Sequence, residues 1–313
     1  MDISIIIPFL NEEENLPGLV EELNKYISTL NDIKIEVIFV DDGSKDSSIE
    51  ILEKLPHKYY TSRIIKLSRN FGSHAALRAG ILHSAGEYIT FMPADLQDPL
   101  ELIGRLYDKS REGYDIVWAA RGNVKSSFLE RIFSELYAVL MRRFAISTFP
   151  KHGFDIVLFN SKIRDELNQN IEGNSSIFLQ ILSLGFRQSS IIYDKGERYA
   201  GKSKWTLSKK IKLFIDSFVA FSYAPIRFVS IVGFSMAFLG FLWAIYVVFR
   251  TLFMHDIKPG WPALLSVLMI GFGITNISLG IIAEYLWRTL DASRKRKVFI
   301  IDRIVDIEVR RET

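Results

Sequence analysis

Two uncharged apolar stretches in the last third of this 313-residue chain constrain its fold more than any other feature. They run over residues 228–249 and 263–283, and each is long enough to cross a hydrocarbon core of about 30 Å as a helix. A buried helix of a soluble domain is the alternative, but two such stretches so close together would be unusual there. Since the linker between them is short, the sequence predicts a transmembrane hairpin over residues 227–287, with helices at about 228–249 and 263–286.

Basic residues flank the predicted hairpin on both outer sides, whereas its linker holds only two. Cytoplasmic loops carry the excess of Lys and Arg in membrane proteins, so both ends of the chain are expected on the cytoplasmic side. The outer residues are Lys202, Lys204, Lys209, Lys210, Lys212 and Arg227 before the hairpin, and Arg288, Arg294, Lys295, Arg296 and Lys297 after it.

Two further segments adjoin the hairpin. Residues 206–226 combine a Lys-rich start with apolar residues at helical spacing, which predicts an amphipathic helix in the headgroup plane of a membrane. A helix packed against the protein is the alternative. Residues 288–313 are expected to form a cytoplasmic basic tail and a strand, and the sequence does not specify what that strand pairs with.

Residues 1–205 are expected to form a separate domain. Over the first ~120 of them a short β-branched run, a polar or Gly-containing turn and a helix-length stretch alternate. This alternation predicts an α/β domain with a doubly wound, mostly parallel sheet of Rossmann-like architecture. The chain starts on such a run, without a basic leader or a long apolar segment, so we expect a strand there rather than a signal peptide. The predicted strands are residues 3–7, 35–40, 63–67, 88–92 and 115–119. Apolar residues at helical spacing predict a helix over residues 12–30, after the first strand.

Composition excludes several classes of function. The absence of cysteine excludes disulfides, thiolate catalysis and cysteine-ligated zinc. A net charge of +3, from 39 basic and 36 acidic residues, lacks the basic excess typical of a nucleic-acid binder. The first strand is not followed by G-x-G-x-x-G and the chain contains no Walker A sequence, so a dinucleotide-binding domain is a weak interpretation.

Polar clusters follow four of the predicted strands, at the edge where doubly wound sheets bind ligands. Turn formation alone is the alternative for the Asp-Asp-Gly-Ser cluster. The clusters are Asn11-Glu12, Asp41-Asp42-Gly43-Ser44, Ser68-Arg69-Asn70 and Asp95-Leu96-Gln97-Asp98.

These clusters, taken in order, resemble the motifs of glycosyltransferase family 2, and within it those of the dolichyl- and undecaprenyl-phosphate sugar transferases. The resemblance continues through Arg198-Tyr199-Ala200-Gly201-Lys202-Ser203-Lys204 and the hairpin, so it covers nearly the whole chain. It implies a GT-A-like fold and an inverting transfer of sugar from a UDP- or GDP-sugar to a polyprenyl phosphate. The product would be a lipid-linked monosaccharide. The implied location is a bacterial inner membrane, with the catalytic domain facing the cytoplasm.

The resemblance also assigns roles to particular residues. The donor would contact Pro8, Phe9, Asn11, Glu12, Asp41, Asp42 and Arg198. Mg²⁺ or Mn²⁺ would be held by Asp95 and Gln97, with Asp95 and Asp155 as the catalytic residues. The acceptor phosphate would meet Arg121, Arg131 and Ser134. His74 is the one histidine expected near a ligand.

One position departs from the family pattern. The family commonly carries Asp-x-Asp where this chain has Pro93-Ala94-Asp95, and proline supplies no ligand. We expect Asp95, Gln97, donor phosphates and water to hold the metal, more weakly than a complete pair of carboxylates would. Loss of activity is the alternative.

A phosphate monoester has a second pKa near ~6 and is largely dianionic at neutral pH, so the acceptor needs no strong general base. Two other functions stay open. A processive polysaccharide synthase would normally need more spans and a Gln-x-x-Arg-Trp sequence, which is absent. A non-catalytic scaffold that keeps donor or lipid binding is the second, and measured turnover would separate it from an enzyme. A homo-oligomer is compatible with the sequence.

Overall fold

The computed structural model describes residues 1–30, 32–122, 128–150, 154, 156–169, 171–173, 175–194, 218–219, 221–254, 260–294 and 296–307. The chain divides into two compact units. The first comprises Met1–Ser217 together with Lys297–Thr313, and the second comprises Phe218–Arg296.

Strands and helices alternate along the first unit. Its elements are β1 (Ile3–Phe9), α1 (Leu16–Ile27), β2 (Ile35–Asp41), α2 (Ser48–Lys54), β3 (Thr61–Leu67), α3 (Ser73–Leu82), β4 (Tyr88–Phe91), α4 (Glu101–Ser110), β5 (Ile116–Arg121), α5 (Phe128–Phe144), β6 (Ile156–Asn160), α6 (Ser161–Gln169), α7 (Ile177–Ser183) and β7 (Gln188–Tyr193). The second unit holds α8 (Ala224–Met254) and α9 (Trp261–Ser293), after which β8 (Ile301–Ile307) belongs to the first unit again.

The strands form one eight-stranded sheet in the order β7-β5-β6-β4-β1-β2-β3-β8. The pairs β4–β1, β1–β2, β2–β3 and β5–β7 are parallel, whereas β6 and β8 run antiparallel to their neighbours. All seven residues of β2 are buried, as expected for a strand covered on both faces by helices. The predicted mostly parallel α/β sheet is therefore confirmed, and the carboxyl ends of β1 to β5 and of β7 lie at one edge.

Helix α1 is shorter than the helical spacing of residues 12–30 predicts. It begins at Leu16 and ends at Ile27, because the flanking residues make other bonds. The N–H of Glu12 donates to Ser48 Oγ at 3.0 Å, which draws the preceding segment toward the turn after β2. At the other end Thr29 Oγ1 donates to the carbonyl of Tyr26 at 2.7 Å, a local bond that competes with continued helix.

Strand β8 covers the edge of the sheet beside β3. Its antiparallel pairing runs from Ser62 opposite Ile307 to Leu67 opposite Ile301. Arg63 and Asp306 add an ion pair of 2.6 Å, but partly exposed pairs contribute only about 1 kcal/mol or less. The backbone ladder and the packing of Val305 and Ile307 against the core also attach β8. The pairing removes an exposed strand edge that would favour aggregation.

The second unit contains two helices long and apolar enough to cross a membrane. The candidate spans are Ala224–Trp243 and Ile270–Asp291, with mean hydropathies of 1.8 and 1.3, and none of their described side chains is buried. At one end of α9 the hydroxyl of Tyr285 donates to the carbonyl of Ser222 at 2.7 Å. Most of the predicted interfacial helix, residues 206–217 and 220, lies outside the described residues.

Candidate active site

The turn after β2 presents a buried carboxylate at the carboxyl edge of the sheet. Asp41 is fully buried, and its Oδ1 accepts the N–H of Ser44 at 2.9 Å. Its Oδ2 has no hydrogen-bond partner within the part of the chain that the structure describes. Burial raises the pKa of Asp41, and the hydrogen bonds from Ser44 oppose that rise. A bound N–H or O–H group would satisfy this oxygen, because an unpaired buried acceptor costs free energy.

Asp42 makes different contacts from Asp41. Its Oδ1 accepts the N–H of Phe71 at 2.7 Å, and its Oδ2 accepts the N–H of Gly72 at 2.9 Å. Burial raises the pKa of Asp42, and these backbone bonds oppose the rise. Its described contacts therefore hold the loop after β3 in place. Direct contact between Asp42 and a donor stays a prediction.

Gly43 allows the turn after β2 and the loop after β3 to approach each other closely. Its φ of +78° lies in the left-handed region, and an added Cβ would come within 2.5 Å of the carbonyl carbon of Arg69. Only glycine fits there without movement of the backbone. In the same loop the guanidinium of Arg69 lies 4.0 Å from the ring centre of Phe71, a cation–π contact that the sequence does not predict.

The loop after β1 is bonded to the same turn. Asn11 has a left-handed φ of 52°, which asparagine tolerates better than most residues. Its N–H donates to Ser44 Oγ, and its Oδ1 accepts the N–H of Lys45, each at 2.8 Å. Glu12 accepts a bond of 2.6 Å from Asn15 Nδ2. Of the predicted donor residues, Asn11, Glu12, Asp41 and Asp42 thus lie on adjoining loops, with Pro8 and Phe9 at the end of β1.

The candidate metal residues lie in the loop between β4 and α4, residues 92–100, which is named the metal loop. The N–H of Gln97 donates to Asp95 Oδ1 at 3.4 Å. Leu96 between them has a left-handed φ of 55°, which costs a non-glycine residue about 1–2 kcal/mol. Strain of this kind concentrates at functional sites.

The donor set of this loop suits a hard cation. A carboxylate and a side-chain amide oxygen are ligands that Mg²⁺ and Mn²⁺ accept, and Mg²⁺ commonly takes its remaining ligands from substrate phosphates and water. Within the described residues no group of three or more His, Asp or Glu could hold a metal ion. The chemistry of Asp95 and Gln97 is compatible with a divalent cation, and their role as metal ligands stays a prediction.

The side chains of five predicted site residues lie outside the described part of the structure. Arg121 ends β5, and Arg131 and Ser134 lie in α5, but only their backbones are described. Asp155 and Arg198 lie outside the described residues. Since β5 and β4 both run antiparallel to β6, the end of β5 at Arg121 lies at the same edge of the sheet as the metal loop.

His74 is the second residue of α3. Its ring centre lies 5.9 Å from that of Phe178 in an edge-on contact. Burial, followed by the nearby Arg78 guanidinium, lowers the pKa of His74 to about 4. The ring is therefore neutral at pH 7. Neutral imidazole can donate or accept one hydrogen bond, which suits binding better than charge neutralisation.

Comparison with known proteins identifies the class of protein to which this chain belongs. The profile of the family described as glycosyl transferase family 2 matches residues 4–191, and the chain belongs to this family. The protein is therefore a glycosyltransferase, as the motifs predicted.

Similar proteins extend the match beyond the catalytic domain. The uncharacterized glycosyltransferase YkcC of Bacillus subtilis (strain 168) is 33% identical over 98% of this chain and 95% of its own length. The uncharacterized glycosyltransferase sll0501 of Synechocystis sp. is 31% identical over 98% of this chain and 97% of its own length. The undecaprenyl-phosphate 4-deoxy-4-formamido-L-arabinose transferase of Pseudomonas savastanoi pv. phaseolicola is 32% identical over 97% of this chain and 90% of its own length. The similarity thus includes the two apolar helices and β8.

Proposed function

We propose that this protein transfers one sugar from a nucleotide-sugar donor to a polyprenyl phosphate, undecaprenyl phosphate in a bacterial membrane. One observation carries the proposal. The catalytic sheet includes β7, which precedes the two apolar helices, and β8, which follows them. A glycosyltransferase domain joined at both ends to a membrane hairpin is suited to an acceptor that resides in lipid. Relatives of nearly the same length include enzymes named for undecaprenyl phosphate.

The same connectivity supports a topology. Strands from before and after the hairpin share one sheet, so both ends of the hairpin lie on the side of the membrane where the catalytic unit folds. We infer that the hairpin spans the bilayer twice, and the basic residues on its outer flanks support a cytoplasmic location for that side. Nucleotide sugars would then reach the site from the cytoplasm.

Donor binding is proposed at the loops after β1, β2 and β3. The unpaired Asp41 Oδ2 would accept an N–H of the base or a hydroxyl of the ribose, with Asn11 and Glu12 on the adjoining loop. Both uracil and guanine carry an imino N–H, so UDP- and GDP-sugars are both compatible with this contact. Arg198 is proposed at the donor phosphates, where a guanidinium can form paired hydrogen bonds.

The transfer needs few groups from the protein. The dianionic acceptor phosphate forms a bond to the anomeric carbon from the face opposite the leaving nucleotide. The bond from that carbon to the nucleoside diphosphate breaks, and the diphosphate oxygen keeps the electron pair. This displacement inverts the anomeric configuration. A bound divalent cation would neutralise the charge that develops on the diphosphate. Asp95 and Gln97 would hold that cation, Arg121, Arg131 and Ser134 would bind the acceptor phosphate, and Asp155 would orient it.

The acceptor requirement tests this proposal. The full-length protein in nanodiscs is incubated with a panel of UDP- and GDP-sugars and either undecaprenyl phosphate or undecaprenol. We expect one donor to be consumed with the phosphate lipid and none with the alcohol. Equal consumption of donor with both lipids, or with neither, would contradict transfer to a polyprenyl phosphate.

A further inference from the structure

A buried hydrogen bond ties the metal loop to a distant strand. The hydroxyl of Tyr193 donates to Asp98 Oδ1 at 2.5 Å, and the two residues are 95 positions apart in the chain. Their exposed fractions are only 3% and 4%. Asp98 directly follows Asp95-Leu96-Gln97, so this bond anchors the downstream end of the loop that carries the candidate metal ligands.

The backbone around Tyr193 makes two further connections. Its carbonyl accepts the N–H of Gly122 at 2.9 Å, and Tyr193 lies opposite Arg121 in the parallel pairing of β5 and β7. The preceding carbonyl, that of Ile192, accepts a bond of 2.9 Å from Arg105 Nη2 on α4. The end of β7 is therefore joined to the metal loop, to the end of β5 and to the helix that follows the loop.

The strained loop needs such an anchor. Leu96 is held at a left-handed φ of 55°, a conformation that persists only where surrounding contacts enforce it. Its side chain packs near Gly18 of α1, where an added Cβ would lie 3.5 Å from Leu96 Cδ1. The packing of Leu96 against the hydrophobic core restrains the middle of the loop, and the bond from Tyr193 restrains its end. Without the second restraint the loop can relax and displace Asp95 and Gln97.

From this arrangement we infer that Tyr193 is a positioning residue for the metal loop. It acts through Asp98 and contacts neither donor nor cation. The inference rests on the proposed function, because it assumes a metal at Asp95 and Gln97. Sequence reasoning missed Tyr193, since a tyrosine at the end of an apolar strand resembles an ordinary core aromatic.

The test removes one hydroxyl and keeps the ring. Tyr193→Phe is compared with Tyr60→Phe, because Tyr60 is equally buried and its hydroxyl has no hydrogen-bond partner within the described residues. Mn²⁺ binding to each full-length protein is measured by electron paramagnetic resonance in the presence of a nucleoside diphosphate. We expect about tenfold weaker binding for Tyr193→Phe, consistent with loss of a hydrogen bond to a charged group, and no change for Tyr60→Phe.

Activity and unfolding measurements separate positioning from a purely structural role. The metal concentration for half-maximal turnover should rise about tenfold in Tyr193→Phe, and excess metal should restore most of the activity. If Tyr193→Phe lowers the unfolding temperature but binds Mn²⁺ as tightly as Tyr60→Phe, the inference is wrong. If the wild type binds no Mn²⁺ with nucleotide and transfers sugar in chelator, the metal-assisted function fails first, and the inference with it.

Discussion

Arg63 of β3 and Asp306 of β8 form an ion pair of 2.6 Å although they are 243 residues apart in the chain. One precedes the apolar hairpin and the other follows it. The pairing of their strands brings both ends of the hairpin back to one folded unit, whatever lies between them.

This relationship predicts the membrane topology. A reporter fused after Thr313 should be cytoplasmic, and one inserted beside His255 in the hairpin linker should be on the opposite side. Alkaline phosphatase and green fluorescent protein fusions report the two sides independently. Both reporters on one side would contradict two membrane spans.

Gly43 should be irreplaceable for donor binding. Gly43→Ala combines a left-handed φ with a 2.5 Å approach to the Arg69 carbonyl carbon, so we expect a loss of at least about 2 kcal/mol in unfolding free energy, together with loss of nucleotide binding. Gly185→Ala is the matched control, because its φ is +74° and no atom lies within 4 Å of the added Cβ.

The control should lose only about 1 kcal/mol and bind nucleotide normally. Thermal unfolding and calorimetric titration with UDP and GDP measure both effects. Equal nucleotide affinity in the two variants would show that the close approach of the loops does not shape the donor site.

His74 should make stability depend on pH. Its pKa falls from the ordinary value of 6.5 to about 4 in the folded protein. Between these values the unfolded chain binds a proton that the folded protein does not, so stability decreases as the pH falls through this window. At pH 5 the loss due to His74 is about 2 kcal/mol.

His74→Gln removes this contribution, so its stability should change less between pH 7 and pH 5 than that of the wild type. Thermal unfolding of both proteins at the two pH values measures the difference. His83, whose pKa is also lowered by burial, is present in both proteins and cancels in the comparison. Identical pH dependence would mean that His74 has the same pKa in the folded and the unfolded protein.

The proposed metal site should depend on nucleotide, because Pro93 supplies no carboxylate to it. Fewer charged ligands weaken a hard-cation site, and a donor diphosphate can supply the missing oxygens. Metal and nucleotide should therefore each raise the affinity of the other. Pro93→Asp should tighten metal binding without nucleotide, whereas Asp95→Ala should abolish binding and turnover.

Calorimetric titration of Mn²⁺ with and without nucleoside diphosphate tests this coupling. Asp108→Ala serves as the control, since this exposed carboxylate lies on α4 away from the loop. Equal Mn²⁺ affinity in the wild type with and without nucleotide would show that the site is complete without a carboxylate at position 93.

The sequence alone predicts the parallel part of the sheet well, because its signals are local. Ile3–Phe9 and Ile35–Asp41 are mostly apolar and almost entirely buried, which is typical of strands covered on both faces. Once they are parallel neighbours, Asn11 and Asp41 must lie near one edge. The candidate donor residues could therefore be grouped before any coordinates were known.

Long-range pairings could not be predicted in this way. The strand at 301–307 carries no signal that selects β3 as its partner, and Asp98 and Tyr193 meet only because β7 pairs with β5. The helix over residues 12–30 was predicted too long, because the bond from Glu12 N–H to Ser48 depends on a turn 36 residues away. These features follow from tertiary contacts rather than from local periodicity.

The mass of the lipid product tests the central claim most directly. Full-length protein in nanodiscs is supplied with undecaprenyl phosphate, the accepted nucleotide sugar and Mn²⁺. The molecular mass of the extracted lipid is then measured by mass spectrometry. The account predicts undecaprenyl phosphate increased by the mass of one sugar residue, with nucleoside diphosphate released in equal amount. A ladder of added sugars would indicate a processive synthase, and unmodified lipid with every donor would indicate a non-catalytic scaffold; either result would contradict the account.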